Sequence, residues 1–212
     1  KNIIITGCSR GIGAATMKKL FSGGANIIAC YRKKNDLNDN FRKINKDKLK
    51  NTINNYYFNL ENFDEIKETA KKILSEHDSI DCIVNVAGVN SVSLFMLENI
   101  SNIKKVFDIN FFSQIYFTQF FLKNMVKNKS GSIIFMSSTA STDGIAGRLP
   151  YSASKASLDI STKILSKELG PYNIRVNAVA PGIIDTEMAK GQLSEKEIDN
   201  LKKKISLRRI GK

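Results

Sequence analysis

The sequence is poor in the side chains that metal sites and disulfide frameworks require. Its 212 residues contain one histidine, His77, and three cysteines, Cys8, Cys30 and Cys82, with no Cys-x-x-Cys spacing. An odd number of scattered cysteines excludes a disulfide framework, and a single histidine without paired cysteines excludes a zinc site. Any catalysis therefore depends on hydroxyl groups, lysines, carboxylates or a bound organic cofactor, and we expect no metal.

Long apolar runs are missing as well. The Ile3-Ile4-Ile5 run is too short for a secretion signal, and no run approaches the roughly 18 to 20 residues that a membrane-spanning helix needs. We therefore expect a cytoplasmic protein that is not embedded in a membrane. The length and the 42% apolar content suit one domain over residues 1–212. Because Lys1 directly precedes a β-like run, we expect that the chain has been trimmed at its start.

Acidic residues are outnumbered, since 33 Lys and Arg stand against 20 Asp and Glu, a net charge of +13. Most of the excess lies in two stretches, residues 32–50 and 202–212, and the second contains no acid. A nucleic-acid partner is one interpretation of these stretches. A solvated Lys-rich surface needs no partner, however, because charge reports on association and not on fold. We expect no nucleic-acid binding.

Short β-branched runs alternate with longer segments of helical period, which predicts βαβ units and a parallel sheet. The predicted strands are Asn2–Thr6, Asn26–Cys30, Asn54–Phe58, Asp81–Val86, Ser132–Ser137 and Ile174–Ala178. The predicted helices are Gly11–Ser22, Asn62–Glu76, Ser101–Lys127 and Tyr151–Leu169, with a weaker one within Asp36–Lys50.

The predicted helix Ser101–Lys127 is apolar on more than one face. Its apolar residues are Val106, Phe107, Phe111, Phe112, Tyr116, Phe117, Phe120 and Phe121. Such a helix needs cover on both sides. One side can pack on the sheet, and the other meets either a second subunit or a long loop of the same chain. We expect a homodimer or homotetramer formed through Ser101–Lys127 and Tyr151–Leu169.

A glycine-rich turn follows the first predicted strand and leads into the first helix, as Thr6-Gly7-Cys8-Ser9-Arg10-Gly11-Ile12-Gly13. Glycines let the backbone approach a pyrophosphate, whose charge is stabilised by the N-terminus of the following helix. The spacing G-x-x-x-G-x-G differs from the common G-x-G-x-x-G and is weak by itself. Its position in the first βα unit, where doubly wound folds bind dinucleotides, strengthens the prediction.

The end of the second predicted strand indicates which dinucleotide is bound. An acidic residue there would accept a hydrogen bond from the ribose 2′-OH of NAD, but the sequence is Cys30-Tyr31-Arg32-Lys33-Lys34. Cations suit the 2′-phosphate of NADP, and Arg10 could approach the same phosphate from the glycine turn. We therefore favour NADP(H) over NAD(H). In the alternative interpretation, Lys33 and Lys34 point into water.

A serine, a tyrosine and a lysine are spaced as a proton-transfer site. Ser138 follows the fifth predicted strand, and Tyr151 and Lys155 lie at i and i+4 on one helix face. A neighbouring ammonium group favours the phenolate form of the tyrosine, which makes Tyr151 a usable proton donor and acceptor. Ser138 could hold a substrate carbonyl against Tyr151. Each residue alone has an ordinary structural explanation, and only their combination indicates an active site.

The chain resembles the classical short-chain dehydrogenase/reductases over essentially its whole length. The motifs that carry the resemblance are the glycine turn, Asn85-Val86-Ala87-Gly88, Asn110, Ser138, Tyr151 with Lys155, and Pro181-Gly182 followed by Thr186. The resemblance implies a single Rossmann domain with a doubly wound parallel sheet and helices on both faces. It also implies a catalytic tetrad of Asn110, Ser138, Tyr151 and Lys155, in which Asn110 holds a water of the proton relay.

The same resemblance implies where the cofactor and substrate bind. The cofactor-binding residues would be Gly7, Ser9, Arg10, Gly11, Ile12, Gly13, Tyr31, Arg32, Asn59, Leu60, Asn85, Ala87, Gly88, Tyr151, Lys155, Pro181, Gly182, Ile184 and Thr186. Substrate contacts would come from Ser138, Tyr151 and Arg148. We also expect Phe95, Met96, Leu97 and Leu149 to line the substrate pocket, and residues 185–201 to form a mobile lid.

Within the family the sequence is most similar to the 3-oxoacyl-acyl-carrier-protein reductases of fatty acid biosynthesis, on Ser9–Gly13, Val176–Gly182 and Leu207–Lys212. This implies an NADPH-dependent reduction of a ketone carried by an acidic carrier protein, which a basic surface would attract. Two alternatives remain: the same chemistry on a sugar, polyol or other small ketone, and a catalytically idle NADP-binding sensor.

The chain also departs from the family pattern in places. Val86 replaces the second Asn of Asn-Asn-Ala-Gly, which removes a side-chain bond that steadies the sheet, and Asn59 replaces an Asp that meets the adenine. The family continues beyond the position of Lys212 through a further helix and strand, so we expect a C-terminal strand to be missing from this chain.

Overall fold

The structure is a computed structural model that describes residues 1–34, 50–191 and 195–212. Six parallel strands form one sheet in the order β3-β2-β1-β4-β5-β6. The strands are β1 (Asn2–Thr6), β2 (Asn26–Tyr31), β3 (Ile53–Tyr57), β4 (Cys82–Asn85), β5 (Gly131–Met136) and β6 (Ile174–Val179). This order is that of the doubly wound Rossmann fold, and the predicted fold class is confirmed.

Within the described residues, helices lie between the strands and after the last one. They are α1 (Gly11–Ser22), α2 (Phe63–Glu76), α3 (Ile100–Phe107), α4 (Ser113–Asn128), α5 (Ala140–Asp143), α6 (Leu149–Leu169), α7 (Glu187–Lys190) and α8 (Glu195–Lys204). Short 3₁₀ turns cover Phe95–Leu97 and Gly170–Tyr172. The weaker helix predicted within Asp36–Lys50 lies outside the described residues, apart from Lys50. In the ranges described, no helix is both long and apolar enough to cross a membrane.

Local sequence explains where the longer helices begin. At the start of α2 the Asn62 side chain accepts hydrogen bonds from the backbone N–H groups of Asp64 and Glu65, as a good N-cap does. The two acids in this first turn also favour the positive end of the helix. α6 has Pro150 in its first turn, where the missing N–H costs nothing.

The core lies on both faces of the sheet. On one face, Ile66, Phe117 and Leu158, from α2, α4 and α6, are fully buried against side chains of the strands. On the other face, Met17 and Phe21 of α1 pack against the alternate residues of the strands. This layering fixes the strands, so that their carboxyl ends and the loops that follow line up at one edge of the sheet.

The helix predicted as continuous over Ser101–Lys127 is interrupted. α3 ends at Phe107, a π turn covers Asp108–Phe112, and α4 begins at Ser113. The π turn contains Asn110, whose side chain is fully buried and hydrogen-bonded to another part of the chain. Wide π turns of this kind occur often at functional sites. No proline or glycine marks this turn in the sequence, so a pattern of apolar residues could not predict it.

Most of the second apolar face of this helix is covered by the same chain. Phe63 of α2 packs on Tyr116 with ring centroids 5.4 Å apart, and Tyr116 packs on Phe120 at 4.9 Å. Of the eight apolar residues that suggested a subunit contact, only Phe112 is exposed, with about half of its surface (49%) open to solvent. The oligomer stays a prediction, with less support from α4 than the sequence suggested.

Candidate active site

A cleft of about 1030 Å³ runs along the carboxyl edge of the sheet. It crosses the point where strand order reverses between β1 and β4, which is where open α/β sheets bind their ligands. Loops that follow each of the six strands line it. Of the cofactor-binding residues that the family resemblance implies, all but Asn85 line this cleft.

The glycine turn forms one wall of the cleft. Gly7 has φ +68°, a left-handed conformation that favours glycine. A Cβ atom on Gly13 would lie 2.1 Å from the carbonyl oxygen of Gly7, so this position accepts no side chain without a backbone shift. The first turn of α1 carries no acidic residue. Backbone N–H groups can therefore approach a ligand phosphate closely, with the positive end of α1 behind them.

The ends of β2 and β3 form the adjoining part of the cleft. The Tyr31 side chain is buried, with its hydroxyl 3.7 Å from the sulfur of Met17, so it offers a ligand mainly its backbone. The neighbouring Arg32 is exposed and lines the cleft. Asn59 and Leu60 line it too. The Leu60 carbonyl accepts a hydrogen bond from the Ser113 hydroxyl, and the Asn59 side chain accepts one from the backbone N–H of Glu61.

Asn85 does not reach the cleft. Its side chain is fully buried and donates a hydrogen bond of 2.9 Å to the hydroxyl of Thr118 on α4. The following residues, Ala87 and Gly88, do line the cleft. A Cβ on Gly88 would lie 3.2 Å from Oδ1 of Asn110 and 3.5 Å from Nζ of Lys155. The turn after β4 thus passes directly beside two of the predicted catalytic residues.

Lys155 lies at the centre of the predicted catalytic group. Its side chain is 3% exposed, and Nζ donates a hydrogen bond of 2.7 Å to the carbonyl oxygen of Met136. Nζ also lies 5.8 Å from the centre of the Tyr151 ring. Burial lowers the pKa of Lys155 to about 8, and the carboxylate of Asp159 opposes this shift. The ammonium group is therefore easily deprotonated for a lysine.

Ser138 and Asn110 complete this group in different ways. The hydroxyl of Ser138 accepts a hydrogen bond of 3.2 Å from the backbone N–H of Ala140, and Ser138 and Tyr151 both line the cleft. Asn110 lies behind the cleft wall. Its Oδ1 accepts from the N–H of Val89 at 2.8 Å, and its Nδ2 donates to the Val89 carbonyl at 2.9 Å and to the Ser154 hydroxyl at 3.1 Å.

The remaining wall comes from the segment after β6. Pro181, Gly182, Ile184 and Thr186 line the cleft as predicted, and Thr186 caps α7 by accepting from the N–H of Ala189. Next to Thr186, Glu187 forms an ion pair of 3.0 Å with Arg10 of the glycine turn. The carboxyl-terminal residues pair with this wall, because the backbones of Asp185 and Gly211 hydrogen-bond at 2.9 Å.

The proposed substrate end differs in part from the sequence prediction. Arg148 lines the cleft and is half-buried, but the Phe95–Leu97 turn lies outside the cleft and its three side chains are between 72% and 84% exposed. Leu149 is also outside. The cleft is also lined by Val92 and Ile145, which the sequence did not indicate, and by Met188, Glu197, Asn200 and Leu201. The predicted lid, residues 185–201, supplies four of these, and its mobility stays a prediction.

No group of three His, Cys, Asp or Glu among the described residues is arranged to hold a metal ion. The three cysteines are all free, and burial raises the pKa of the Cys8 thiol to about 12. Cys8 is therefore an unreactive part of the glycine turn.

Strand order, the glycine turn and the cleft at the reversal point define a dinucleotide-binding α/β protein. The chain belongs to the short-chain dehydrogenase/reductase family, because residues 1–197 match the family described as short chain dehydrogenase. It is therefore an oxidoreductase acting on a CH–OH/C=O pair, and the family uses nicotinamide cofactors.

Several relatives share its whole length. The chain is 35% identical over 212 residues to the 3-oxoacyl-(acyl-carrier-protein) reductase FabG of Thermotoga maritima, covering 100% of this chain and 85% of the relative. It is 34% identical over 211 residues to the enzyme of the same name from Chlamydia muridarum, covering 100% and 84%. The predicted resemblance to this subfamily is confirmed.

Solved structures agree with the fold. A 4-hydroxyisoleucine dehydrogenase complexed with NADH superposes with a TM-score of 0.90 at 27% identity, over 100% of this chain and 85% of that chain. ElxO with NADP bound superposes with a TM-score of 0.88 at 25% identity, over 100% and 86%. These two neighbours carry different nicotinamide cofactors, so the likeness alone does not indicate which one this chain prefers.

Proposed function

We propose that this protein reduces a 3-oxoacyl thioester to the 3-hydroxyacyl thioester with NADPH. The observation that carries the proposal is the presence of Ser138, Tyr151 and the buried Lys155 in the same cleft as the glycine turn. Nothing in the fold requires these three side chains together at the reversal point of the sheet. The similarity to the Thermotoga maritima reductase supports the thioester as substrate.

The residues present fit a nicotinamide cofactor. The pyrophosphate would lie on the backbone of Gly7–Gly13, where side-chain atoms are excluded by the contact between Gly13 and Gly7. Ala87, Gly88, Pro181 and Thr186 would border the rest of the cofactor. Arg32 is an exposed cation in the cleft with no ion pair among the described residues, which supports a bound 2′-phosphate and hence NADP(H).

When bound, the cofactor supplies the hydride, and the protein supplies position and a proton. The hydroxyls of Ser138 and Tyr151 hydrogen-bond the ketone oxygen and polarise it. Tyr151 then gives its phenolic proton to that oxygen as the carbon accepts the hydride, so the product is an alcohol. The ammonium group of Lys155 stabilises the phenolate that this leaves, and, as the family resemblance implies, Asn110 would hold a water through which solvent returns the proton.

The substrate would enter beside Arg148. This residue is the N-cap of α6, three positions before Tyr151, and its guanidinium has no ion pair or side-chain hydrogen bond within the described part of the chain. A guanidinium so placed suits the thioester oxygen next to the reacting ketone. Val92, Ile145 and Met188 add apolar lining to the cleft, which would suit an acyl chain.

A basic stretch that follows a residue of the cleft wall supports an acidic carrier as partner. α8 contributes Leu201 to the cleft wall, and the basic stretch 202–212 follows it directly. Such a surface would attract an acidic protein that delivers the acyl group.

A homo-oligomer also remains a prediction, supported by Ile160 and Ile164 of α6, which are 55% and 49% exposed and lie on one helix face. Sedimentation of the purified protein tests it.

The first experiment is an assay of NADPH oxidation with an acetoacetyl thioester and with a panel of sugar and small ketones, with NADH in parallel. We expect turnover of the thioester with NADPH. Tyr151→Phe should lower kcat by about two to four orders of magnitude, because the proton donor is lost, and leave the NADPH dissociation constant unchanged. Tyr172→Phe is the matched control, since Tyr172 is exposed and outside the cleft.

Other outcomes lead to other conclusions. Turnover of a sugar or small ketone without the thioester would keep the chemistry and remove the proposed substrate. Tight NADPH binding without turnover of any ketone would favour an idle sensor. Full activity of Tyr151→Phe would remove Tyr151 as the proton donor.

A further inference from the structure

Gln114 is a buried polar residue that the predicted site does not include. It lies in the first turn of α4, its side chain is fully buried, and Nε2 donates a hydrogen bond of 2.6 Å to the carbonyl oxygen of Ala87. Oε1 of the same side chain has no hydrogen-bond partner among the described residues. A buried unpaired amide oxygen costs stability, so an apolar side chain of this size would suit the core better. The amide at Gln114 provides what an apolar side chain could not, the hydrogen bond to Ala87.

Ala87 is in contact with the glycine turn on its other side. A Cβ on Gly7 would lie 2.7 Å from both N and Cα of Ala87, so the two backbones are already as close as they can be. The Thr6 hydroxyl oxygen accepts hydrogen bonds from the N–H groups of Val86 and Ala87, at 3.1 and 3.3 Å. Ala87 therefore lies between the glycine turn and Gln114, and its position sets the width of the cleft there.

The next two residues connect this contact to the catalytic group. Asn110 lies four residues before Gln114 and binds both backbone groups of Val89, at 2.8 and 2.9 Å. Gly88, between the two held residues, passes beside Lys155, because a Cβ on Gly88 would lie 3.5 Å from Nζ. Two amide side chains from one stretch of helix thus hold Ala87 and Val89, and fix Gly88 against the lysine.

We infer that Gln114 is a positioning residue, which holds the Ala87–Val89 turn against the glycine turn and beside Lys155. It touches neither cofactor nor substrate and acts through Ala87. Loss of its hydrogen bond lets the turn move, which disturbs both the surface that borders the cofactor and the surroundings of the lysine. The inference rests on the proposed function for its effect on turnover, but its effect on cofactor binding does not require that the substrate be known.

The chain offers a matched control on the same helix. Asn124 of α4 also ties the helix to a loop beside β4, because Nδ2 donates to the carbonyl of Asp78 at 2.9 Å and Oδ1 accepts from the N–H of Ile80 at 3.0 Å. That loop precedes β4 and lies at the edge of the sheet away from the cleft. Asn124→Leu removes a comparable amide tether without touching the Ala87–Val89 turn.

The experiment compares Gln114→Met and Gln114→Glu with Asn124→Leu and the wild type. We measure the NADPH dissociation constant by cofactor fluorescence, kcat and KM with the acetoacetyl thioester, and the melting temperature. Gln114→Met should raise the dissociation constant and lower kcat by about tenfold each, as expected for a lost buried hydrogen bond. Asn124→Leu should lower the melting temperature at least as much and leave both constants unchanged.

Gln114→Glu adds a readout that a structural role would not move. The carboxylate cannot donate to Ala87, but the protonated acid can, and burial raises the pKa of such a group. Its kcat relative to Gln114→Met should therefore recover as the pH is lowered.

Three outcomes would overturn the inference: unchanged constants in a folded Gln114→Met protein, an equal loss in Asn124→Leu, or no recovery of Gln114→Glu with acid. A wild type that reduces no ketone would instead contradict the proposed function, and the NADPH dissociation constants would still test Gln114.

Discussion

The ammonium group of Lys155 donates a hydrogen bond of 2.7 Å to the carbonyl oxygen of Met136, two residues before Ser138. This bond ties α6 to the end of β5 and brings the charge to the bottom of the cleft. The side chain is only 3% exposed, and one carbonyl replaces little of the water that an ammonium group loses on burial. The site therefore holds its lysine at a cost to the stability of the fold.

That cost predicts a dependence on pH. Burial lowers the pKa of Lys155 from 10.5 in the unfolded chain to about 8. Between these values the unfolded chain binds more protons, so this residue makes the free energy of unfolding rise as the pH rises, and below pH 8 its full cost is present. Lys155→Met removes this pH-dependent contribution to the free energy of unfolding. We expect the stability of the variant relative to wild type to fall by about 2.5 kcal/mol between pH 7 and pH 10.

Denaturant unfolding of both proteins at the two pH values measures this difference. Lys163→Met is the control, because Lys163 is an exposed residue of the same helix, and its difference from wild type should not change with pH. A Lys155→Met difference that is equally constant would contradict the predicted burial of the charge.

Features that depend on short stretches of sequence were predictable. Each of the six strands was predicted within one residue of its observed ends, because β-branched runs bounded by turns define buried parallel strands. Tyr151 and Lys155 were predicted to share one helix face because residues at i and i+4 are neighbours on a helix surface, and both lie on α6. The fold class followed from the alternation of strands and helices.

Features that depend on contacts between distant residues were not predictable. The π turn at Asp108–Phe112 accompanies the bonds from Asn110 to Val89, which lies 21 residues earlier in the chain. The hydrogen bond from Gln114 to Ala87 likewise needs the packing of α4 on β4. The exposed Phe95–Leu97 turn looked like pocket lining because apolar composition does not indicate which way a loop faces.

The ion pair between Arg10 and Glu187 predicts an effect on cofactor preference. Its side chains are 65% and 70% exposed, so the pair contributes little to stability, about 1 kcal/mol at most. If Arg10 binds the 2′-phosphate, Glu187 competes for the same guanidinium. Glu187→Gln should therefore tighten NADPH binding about threefold and leave NADH binding and the melting temperature unchanged.

Titrations with both cofactors at low and high salt measure this effect. The gain should shrink at high salt because both groups are exposed. Arg10→Gln provides the opposite control and should weaken NADPH binding more than NADH binding. An equal change for the two cofactors in Glu187→Gln would contradict a contact between Arg10 and the 2′-phosphate.

The contact between Gly13 and Gly7 predicts that a single added methyl group weakens cofactor binding. A Cβ on Gly13 would lie 2.1 Å from the Gly7 carbonyl oxygen, and backbone atoms cannot yield as a flexible side chain does. Gly13→Ala should push the glycine turn into the cleft, weaken the binding of NADPH and NADH alike by at least about tenfold, and cost about 1 to 3 kcal/mol of stability.

Gly170→Ala is the matched control, since its Cβ would meet nothing within 4 Å and its backbone is helical. The Gly170→Ala control should keep cofactor affinity. Its stability should rise by about 0.4 to 1 kcal/mol, because alanine makes the unfolded chain less flexible. Fluorescence titration and thermal melting of both variants measure these changes, and wild-type affinity in Gly13→Ala would show that the cofactor does not approach the glycine turn.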